Sequence, residues 1–215
     1  MDGDHAPLRE LVELKERHGA WLMVDEAHAT GLYGARRRGL IEAAGVTGRV
    51  EVQMGTLGKA LGSAGGYIGG SRVLIDYLVN RARSFIFSTA PTPATSAAAT
   101  AAARLIQSPA GEERCRRLRE RVAQFQHACA SATNSAGPTP HSLATGSAII
   151  PIPVGEEGRA MAIAANLRER GVFVPAVRYP TVARCQARLR VTFTADHTEA
   201  EVSILCEALR GAGLD

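Results

Sequence analysis

Lysine is almost missing from this chain of 215 residues. Of its 25 basic side chains only two are lysines, Lys15 and Lys59, and the others are arginines. Many arginines lie in predicted helices such as EERCRRLRERVAQ, a pattern typical of solvated helix faces. With a net charge of only +4, so diffuse a distribution does not indicate a nucleic-acid partner, although it is compatible with an anionic ligand.

Long apolar runs, closely spaced cysteines and paired histidines are also absent. No run of about 18 apolar residues occurs, so we expect no membrane-spanning helix. The opening MDGDHAPL is acidic and has no apolar core, unlike a signal peptide. The 4 cysteines form no C-x-x-C pair and the 6 histidines have no i, i+4 spacing. We therefore expect reduced thiols, no metal site and a cytoplasmic protein.

Strands and helices alternate along the chain, which predicts an α/β fold. Helical spacing of apolar residues predicts a helix in PLRELVELKERHGA, and the apolar run WLMVD predicts a strand that ends at Asp25. VEVQMGT, GGYIGG and FIFST are predicted strands, and SRVLIDYLVNRARS is a predicted helix capped by Ser71. The alanine-rich ATSAAATAAARLI is predicted to be a buried helix, and an arginine-rich helix is predicted over about 111–132.

A composition change divides the chain in two. Ser, Thr, Asn, Gly and Pro cluster in SATNSAGPTPHSLATGS, which predicts a linker between a domain of residues 1–135 and one of residues 136–215. In the second domain AIIPIPV, VFVPAV and ARLRVTFTA are predicted strands, and GRAMAIAANLRERG and HTEAEVSILCEALRGAG are predicted helices. Thr198 and Glu201 have the spacing of a capping box.

Three chemically distinctive residues follow predicted strands. Asp25 ends one strand, His28 comes three residues later, and Lys59 follows the next strand in QMGTLGKALGSAGGYIGG. The carboxyl ends of strands are where α/β sheets bind ligands. Glycine neighbours provide no partner for the Lys59 charge and let a bulky group approach the backbone. Such an amine can attack a carbonyl, and pyridoxal phosphate is a carbonyl cofactor that also needs a carboxylate at its ring nitrogen.

Hydroxyl groups near the same edge complete the set that pyridoxal phosphate needs. Thr56, Ser88 and Thr89 are candidates for its phosphate, and His28 is a candidate for its ring oxygen.

Two nucleotide-binding motifs are alternatives for the same stretches. A P-loop is excluded, because Gln53 stands where its first glycine belongs and Ala60 where its Ser or Thr belongs. LMVDEAH has the form of a DEAH-type helicase motif, but no P-loop precedes it and no arginine-finger motif follows.

Five stretches together resemble the α-oxoamine synthase family of pyridoxal-phosphate enzymes: MDGDHAPL, LMVDEAHATGLYG, GTLGKALGSAGGYIGG, RSFIFSTAPTP and RYPTVARCQARLRVTFTADHT. The resemblance runs from residue 1 to the last predicted helix. It implies the aspartate-aminotransferase fold (fold type I), with part of the large domain followed by the small C-terminal α/β domain. It also implies a homodimer with active sites shared at the subunit interface.

The resemblance implies a cofactor role for five residues. Lys59 would hold pyridoxal phosphate covalently and later move protons at the amino acid Cα. Asp25 would bind the pyridinium nitrogen, and His28 would hydrogen-bond the phenolic oxygen. Thr56 would contact the phosphate, and Thr89 would contact it from the partner subunit.

The resemblance also implies substrates. Thr181 would line the substrate pocket and Arg190 would bind the substrate carboxylate, to which a guanidinium can bind through two hydrogen bonds. The best-matching reaction condenses L-alanine with pimeloyl-CoA or a pimeloyl carrier protein, with decarboxylation, to give 8-amino-7-oxononanoate in biotin biosynthesis. The alternative within the family is a glycine-using 2-amino-3-ketobutyrate ligase. The motifs leave open the acyl chain length and the identity of the thiol carrier.

Two departures from the family pattern affect these expectations. Cys185 stands in a turn where family members usually have glycine. Family members are also much longer, and the segments that precede the MDGD stretch in them include further cofactor contacts. We therefore expect residues 1–215 alone to have little or no activity. The non-enzyme alternative is an inactive fragment that folds without taking up pyridoxal phosphate.

Overall fold

The computed structural model describes residues 2–132 and 146–214, and their fold is α/β, as expected. The chain divides into two compact units. The first unit is Ala6–Glu113, and the second is Arg114–Asp215 together with Met1–His5. The predicted boundary between residues 135 and 136 lies outside the described residues, as does most of the predicted linker. The assignment of domains to 1–135 and 136–215 therefore stays a prediction.

The first unit is built on a three-stranded sheet in the order β1–β2–β3. β1 and β2 are parallel, and β3 returns antiparallel to β2. The described elements of this unit, in chain order, are α1 (Leu8–Arg17), β1 (Met23–Asp25), α2 (Leu40–Ala43), β2 (Val52–Thr56), β3 (Gly66–Gly70), α3 (Arg72–Arg81), α4 (Arg83–Ile86) and α5 (Pro93–Ile106).

The core of the first unit is small. Its buried cluster consists of Leu8, Val12, Ile41 and Val46, from α1, α2 and the turn after α2. The apolar face of α1 therefore supplies half of that cluster, as its helical spacing predicts. The predicted cap of α3 is also confirmed, because the Ser71 hydroxyl accepts a hydrogen bond from the Leu74 amide at 3.2 Å.

The prediction of a strand in FIFST is wrong. Arg83–Ile86 form the short helix α4, separated from α3 by one residue, and the amides of Phe85 and Ile86 both donate to the carbonyl of Ala82. A short apolar run does not by itself distinguish a strand from a helical turn. Thr89 therefore follows a helix and a turn, and its predicted placement at a strand end is wrong as well.

The second unit contains a three-stranded antiparallel sheet in the order β4–β6–β5. Its core includes Phe125, Ile150, Leu167 and Leu189, each less than 2% exposed. The predicted capping box of the last helix is confirmed, with hydrogen bonds in both directions between Thr198 and Glu201. The described elements are α6 (Pro109–Ala132, which starts within the first unit's range), β4 (Ile149–Gly155), α7 (Glu157–Glu169), β5 (Ala176–Val177), β6 (Ala187–Thr192) and α8 (Glu199–Arg210).

Candidate functional site

Asp25 lies at the carboxyl end of β1, as predicted. In the parallel pair β1–β2, Asp25 is opposite Met54, so β2 ends two residues further along, at Thr56. Both strands thus end at the same edge of the sheet. The Asp25 carboxylate is exposed, and its Oδ1 accepts a hydrogen bond from the Ala27 amide at 2.8 Å. Among the described residues no other hydrogen bond is made by this carboxylate, which leaves Oδ2 available to a ligand.

His28 follows Asp25 in a tight turn. The amides of Ala29 and Thr30 both donate to the carbonyl of Glu26, at 2.8 and 2.9 Å. This turn buries Ala27 and Ala29 and leaves His28 exposed. Because its small residues face inward, the turn presents Asp25 and His28 on the exposed side of the same short segment.

Thr56 begins the loop that carries Lys59. Its hydroxyl donates to the Gly65 carbonyl at 3.2 Å and accepts from the Gly58 amide at 3.2 Å. The Leu57 amide also donates to the Gly65 carbonyl, and the Gly62 amide donates to the Lys59 carbonyl. These bonds close residues 57–65 into an ordered loop between β2 and β3.

The two lysines have opposite environments. Lys15 forms an ion pair with Glu51 at 2.5 Å and its side chain is only 12% exposed. Lys59 is exposed, and its amine has neither a hydrogen bond nor an ion pair within residues 2–132 and 146–214. Its amine is available to an external carbonyl compound.

One glycine of the motif is required by packing. A Cβ on Gly55 would lie 2.3 Å from the ring of Tyr67, which crosses β2 from β3. The Tyr67 hydroxyl hydrogen-bonds the Thr30 hydroxyl at 3.0 Å. The missing side chain at Gly55 thus lets β3 contact the turn that carries His28.

The other predicted site residues lie elsewhere. Thr89 is exposed in the first unit, after α4. Thr181 and Arg190 belong to the second unit: Thr181 is exposed in a turn after β5, and Arg190 is partly buried on β6. Arg190 also lines a groove of about 580 Å³ beside Phe173 and His197, and its buried Nε has no hydrogen-bond partner among the described residues. The structure brings Asp25, His28, Thr56 and Lys59 to one sheet edge.

This donor set fits pyridoxal phosphate. It offers a carboxylate for the ring nitrogen, an imidazole for the ring oxygen, a hydroxyl and loop amides for the phosphate, and an amine for the aldehyde.

Glu26 was not predicted from the sequence. This buried residue follows Asp25 directly in the chain, and its carboxylate accepts hydrogen bonds from backbone amides at the start of α2. The signal available in the sequence was a second carboxylate directly after the strand-end Asp25.

Three further features bear on the expected function classes. Cys185 is an exposed free thiol, and Cys206 is a buried one. Within the described part of the chain, no helix has both the length and the apolar content needed to cross a bilayer. Over the same residues, no three His, Cys, Asp or Glu side chains are grouped to hold a metal ion.

The chain matches the aminotransferase class I and II family over residues 1–209. It is 48% identical to the 8-amino-7-oxononanoate synthase of Anaeromyxobacter dehalogenans over 214 residues, which cover 97% of this chain and 51% of that protein. The chain spans about half the length of the curated relatives it matches.

Solved structures give the same fold. A high-resolution structure of SPT with PLP superimposes with a TM-score of 0.89 at 27% identity, covering 100% of this chain and 54% of that one. The 8-amino-7-oxononanoate synthase of Francisella tularensis superimposes with a TM-score of 0.76 at 24% identity, covering 98% and 60%. The fold of this chain is therefore that of the fold type I enzymes.

Proposed function

The chain belongs to the aminotransferase class I and II family, and from this we propose that it is the lysine-bearing part of a pyridoxal-phosphate-dependent acyltransferase of the α-oxoamine synthase kind. The observation that carries the proposal is the Lys59 amine in the loop after β2, which has no partner among the described residues and lies at the edge where Asp25 also emerges. Relatives named 8-amino-7-oxononanoate synthase, 42–48% identical to this chain, support the choice within the family.

The four residues at this edge would divide the binding of the cofactor. When bound, pyridoxal phosphate supplies an electron sink for negative charge at the Cα of an amino acid. Asp25 would keep the ring nitrogen protonated through an ion pair, and His28 would donate to the ring oxygen. Thr56 would bind the phosphate, and Lys59 would hold the aldehyde carbon and then accept or return the Cα proton.

Three more roles complete the proposal. The partner subunit's Thr89 would contact the phosphate in a homodimer with shared sites. Thr181 would line the substrate pocket, and Arg190 would bind the substrate carboxylate through two hydrogen bonds. Thr181 is exposed and the Nε of Arg190 has no hydrogen-bond partner within the described residues, and both observations are compatible with these roles.

The proposed substrates are L-alanine and a pimeloyl thioester. A bond forms between the alanine Cα and the acyl carbon while the C–S bond breaks, and the alanine carboxylate leaves as CO2. The product is 8-amino-7-oxononanoate, and the thiol of CoA or a carrier protein is released. A glycine-using 2-amino-3-ketobutyrate ligase is the alternative within the family. Because the chain spans about half the length of its relatives, we propose that residues 1–215 alone turn over little substrate.

The two lysines make the proposal testable with an internal control. Pyridoxal phosphate is added to the purified chain, the visible spectrum is recorded, and borohydride reduction is followed by peptide mapping. We expect a visible band and a label on Lys59, whereas Lys15 stays unlabelled because Glu51 occupies its amine. Label shared between both lysines, or no band with a folded chain, would contradict cofactor binding and favour the inactive fragment.

A further inference from the structure

Glu26 is an unusual carboxylate. It is 1% exposed and is the one charged side chain that is buried among the described residues. Burying a carboxylate is costly unless hydrogen bonds or a cation compensate for the lost hydration. No basic side chain of the described structure pairs with it. Its partners are instead two backbone amides, Leu40 at 2.8 Å and Ile41 at 2.7 Å.

The segment around those amides is shaped to receive the carboxylate. Gly39 has φ +129, and a Cβ there would lie 2.4 Å from Glu26 Oε2. A side chain at Gly39 would therefore displace the carboxylate. The start of α2 and Glu26 are thus fitted to each other, although Leu40 comes 14 positions after Glu26 in the sequence.

The backbone of Glu26 makes three more connections. Its amide donates to the Met54 carbonyl on β2 at 2.8 Å. Its carbonyl accepts from Ala29 and Thr30, the two bonds that form the turn carrying His28. One residue therefore joins β2, the His28 turn and the start of α2, and it lies directly after Asp25.

We propose that Glu26 is a positioning residue of the cofactor site. By fixing the turn to the start of α2, its carboxylate keeps Asp25 and His28 at the edge where Thr56 and Lys59 lie. The part of this inference that concerns cofactor binding rests on the proposed function, but the effect of Glu26 on the turn can be measured without any cofactor.

Glu42 provides a matched control. Its carboxylate also accepts hydrogen bonds from backbone amides, those of Arg36 and Arg38, each at 3.1 Å. It lies in the same helix α2 whose start Glu26 binds, but it makes no hydrogen bond to residues 25–30. A general effect of losing a carboxylate from this segment would therefore appear equally in E26Q and E42Q.

The first test follows hydrogen exchange in the purified chain without cofactor. E26Q keeps the size of the side chain but turns an NH2 group toward one of the two amides. We expect the amides of Ala29 and Thr30 to exchange about tenfold faster in E26Q and within about twofold of wild type in E42Q. The amide of Val12, whose side chain is buried in the core of the first unit, reports unfolding of that unit as a whole and should be unchanged. Equal rates for Ala29 and Thr30 in the two variants would overturn the proposal.

Loss of folding is separated from loss of position by a second variant. E26D keeps the charge but is one methylene too short to reach both Leu40 and Ile41. If E26Q does not fold, E26D is measured against E42Q in the same way. If neither variant of Glu26 folds while E42Q does, Glu26 is needed for the fold as a whole, and a specific positioning role is wrong.

The second test adds pyridoxal phosphate and follows the visible band as a function of concentration and pH. We expect E26Q to weaken binding about tenfold or more and to change the pH dependence of the band, because both Asp25 and His28 are displaced. E42Q should match wild type. Wild-type affinity and an unchanged band in E26Q would overturn the proposal. If wild type itself takes up no cofactor, the proposed function fails for this chain, and the exchange comparison alone decides the role of Glu26.

Discussion

At the scale of single residues, Lys59 and Glu26 are both ionisable side chains that form no ion pair among the described residues. The glycine-rich neighbours of Lys59 indicated an amine without a partner, and the structure places it in an ordered, exposed loop. Glu26 could not be assigned a role in the same way, because its partners are backbone amides of residues 40 and 41. A sequence shows which charged side chains could pair, but it does not show which side chains bond to backbone groups that are distant in the chain.

Cys185 gives a prediction at this scale. The resemblance to longer enzymes placed a glycine here, and Cys185 indeed has φ +59, a conformation that costs a residue with a Cβ about 1–2 kcal/mol. Its side chain is exposed, so little packing would be lost on substitution. After the larger backbone entropy of glycine in the unfolded chain is subtracted, we expect C185G to stabilise the chain by about 0.5–1 kcal/mol.

Urea unfolding measures this change. C185S is the control, because it keeps a Cβ at the same φ and should stay within about 0.5 kcal/mol of wild type. A C185G chain less stable than C185S would contradict the prediction, because it would mean that relief of the strain at φ +59 is smaller than the entropy cost of glycine.

At the scale of elements, apolar runs predicted β1, β2 and β3, and caps predicted the starts of α3 and α8. The failures share a cause. Phe85 and Ile86 of FIFST belong to helix α4, and Phe85 and Phe87 are 63% and 73% exposed, so this apolar run did not indicate a buried strand. Likewise α5 was predicted to be buried from its alanines, yet none of its residues is buried in this chain. Burial depends on what packs against an element, and composition alone does not give that.

The capping box of α8 leads to a pH prediction. The amide and hydroxyl of Thr198 donate to the Glu201 carboxylate, which lowers the pKa of Glu201 below its usual value near 4.5. The folded pKa is thus below the unfolded one, so this stabilisation is full above about pH 4.5 and is lost as the pH falls through the folded pKa. We expect E201Q to lower the urea midpoint at pH 6, and the difference from wild type to shrink progressively as the pH falls below about 4.5.

The control removes a carboxylate from the same helix outside the cap. E207Q makes the same change of charge at Glu207, in the last turns of α8, without touching Thr198. A midpoint difference for E201Q that is constant from pH 6 to pH 3, or equal to that of E207Q, would contradict the role of the cap.

At the scale of the whole molecule, the described residues form two cores of unequal size. The core of the second unit has 14 buried residues, whereas the cluster of the first unit has 4. Buried apolar surface therefore contributes more to the free energy of unfolding of the second unit. Within the described first unit, α3, α4 and α5 contribute no buried residue. Since the proposed site residues Asp25, His28, Thr56 and Lys59 lie in the first unit, we expect the proposed site to be lost at a lower denaturant concentration than the second sheet.

Core truncations test this difference in stability. Leu189 and Val12 are each 0% exposed, one in each core. L189A should cost about 2–5 kcal/mol and V12A about 2 kcal/mol, from lost transfer free energy and the cavity left behind. Because no residue belongs to both clusters, we expect hydrogen exchange to accelerate in β4, β6 and α7 for L189A, and in α1 and β2 for V12A.

Urea unfolding of the two variants, followed peptide by peptide through hydrogen exchange, decides the outcome. Wild type should lose protection around β2 before β6, V12A should advance only the first transition, and L189A only the second. Coincident transitions that both variants shift equally would mean that the two units unfold as one cooperative body. The proposed site at the β1–β2 edge would then unfold together with the whole chain, and the smaller core of the first unit would not determine its stability.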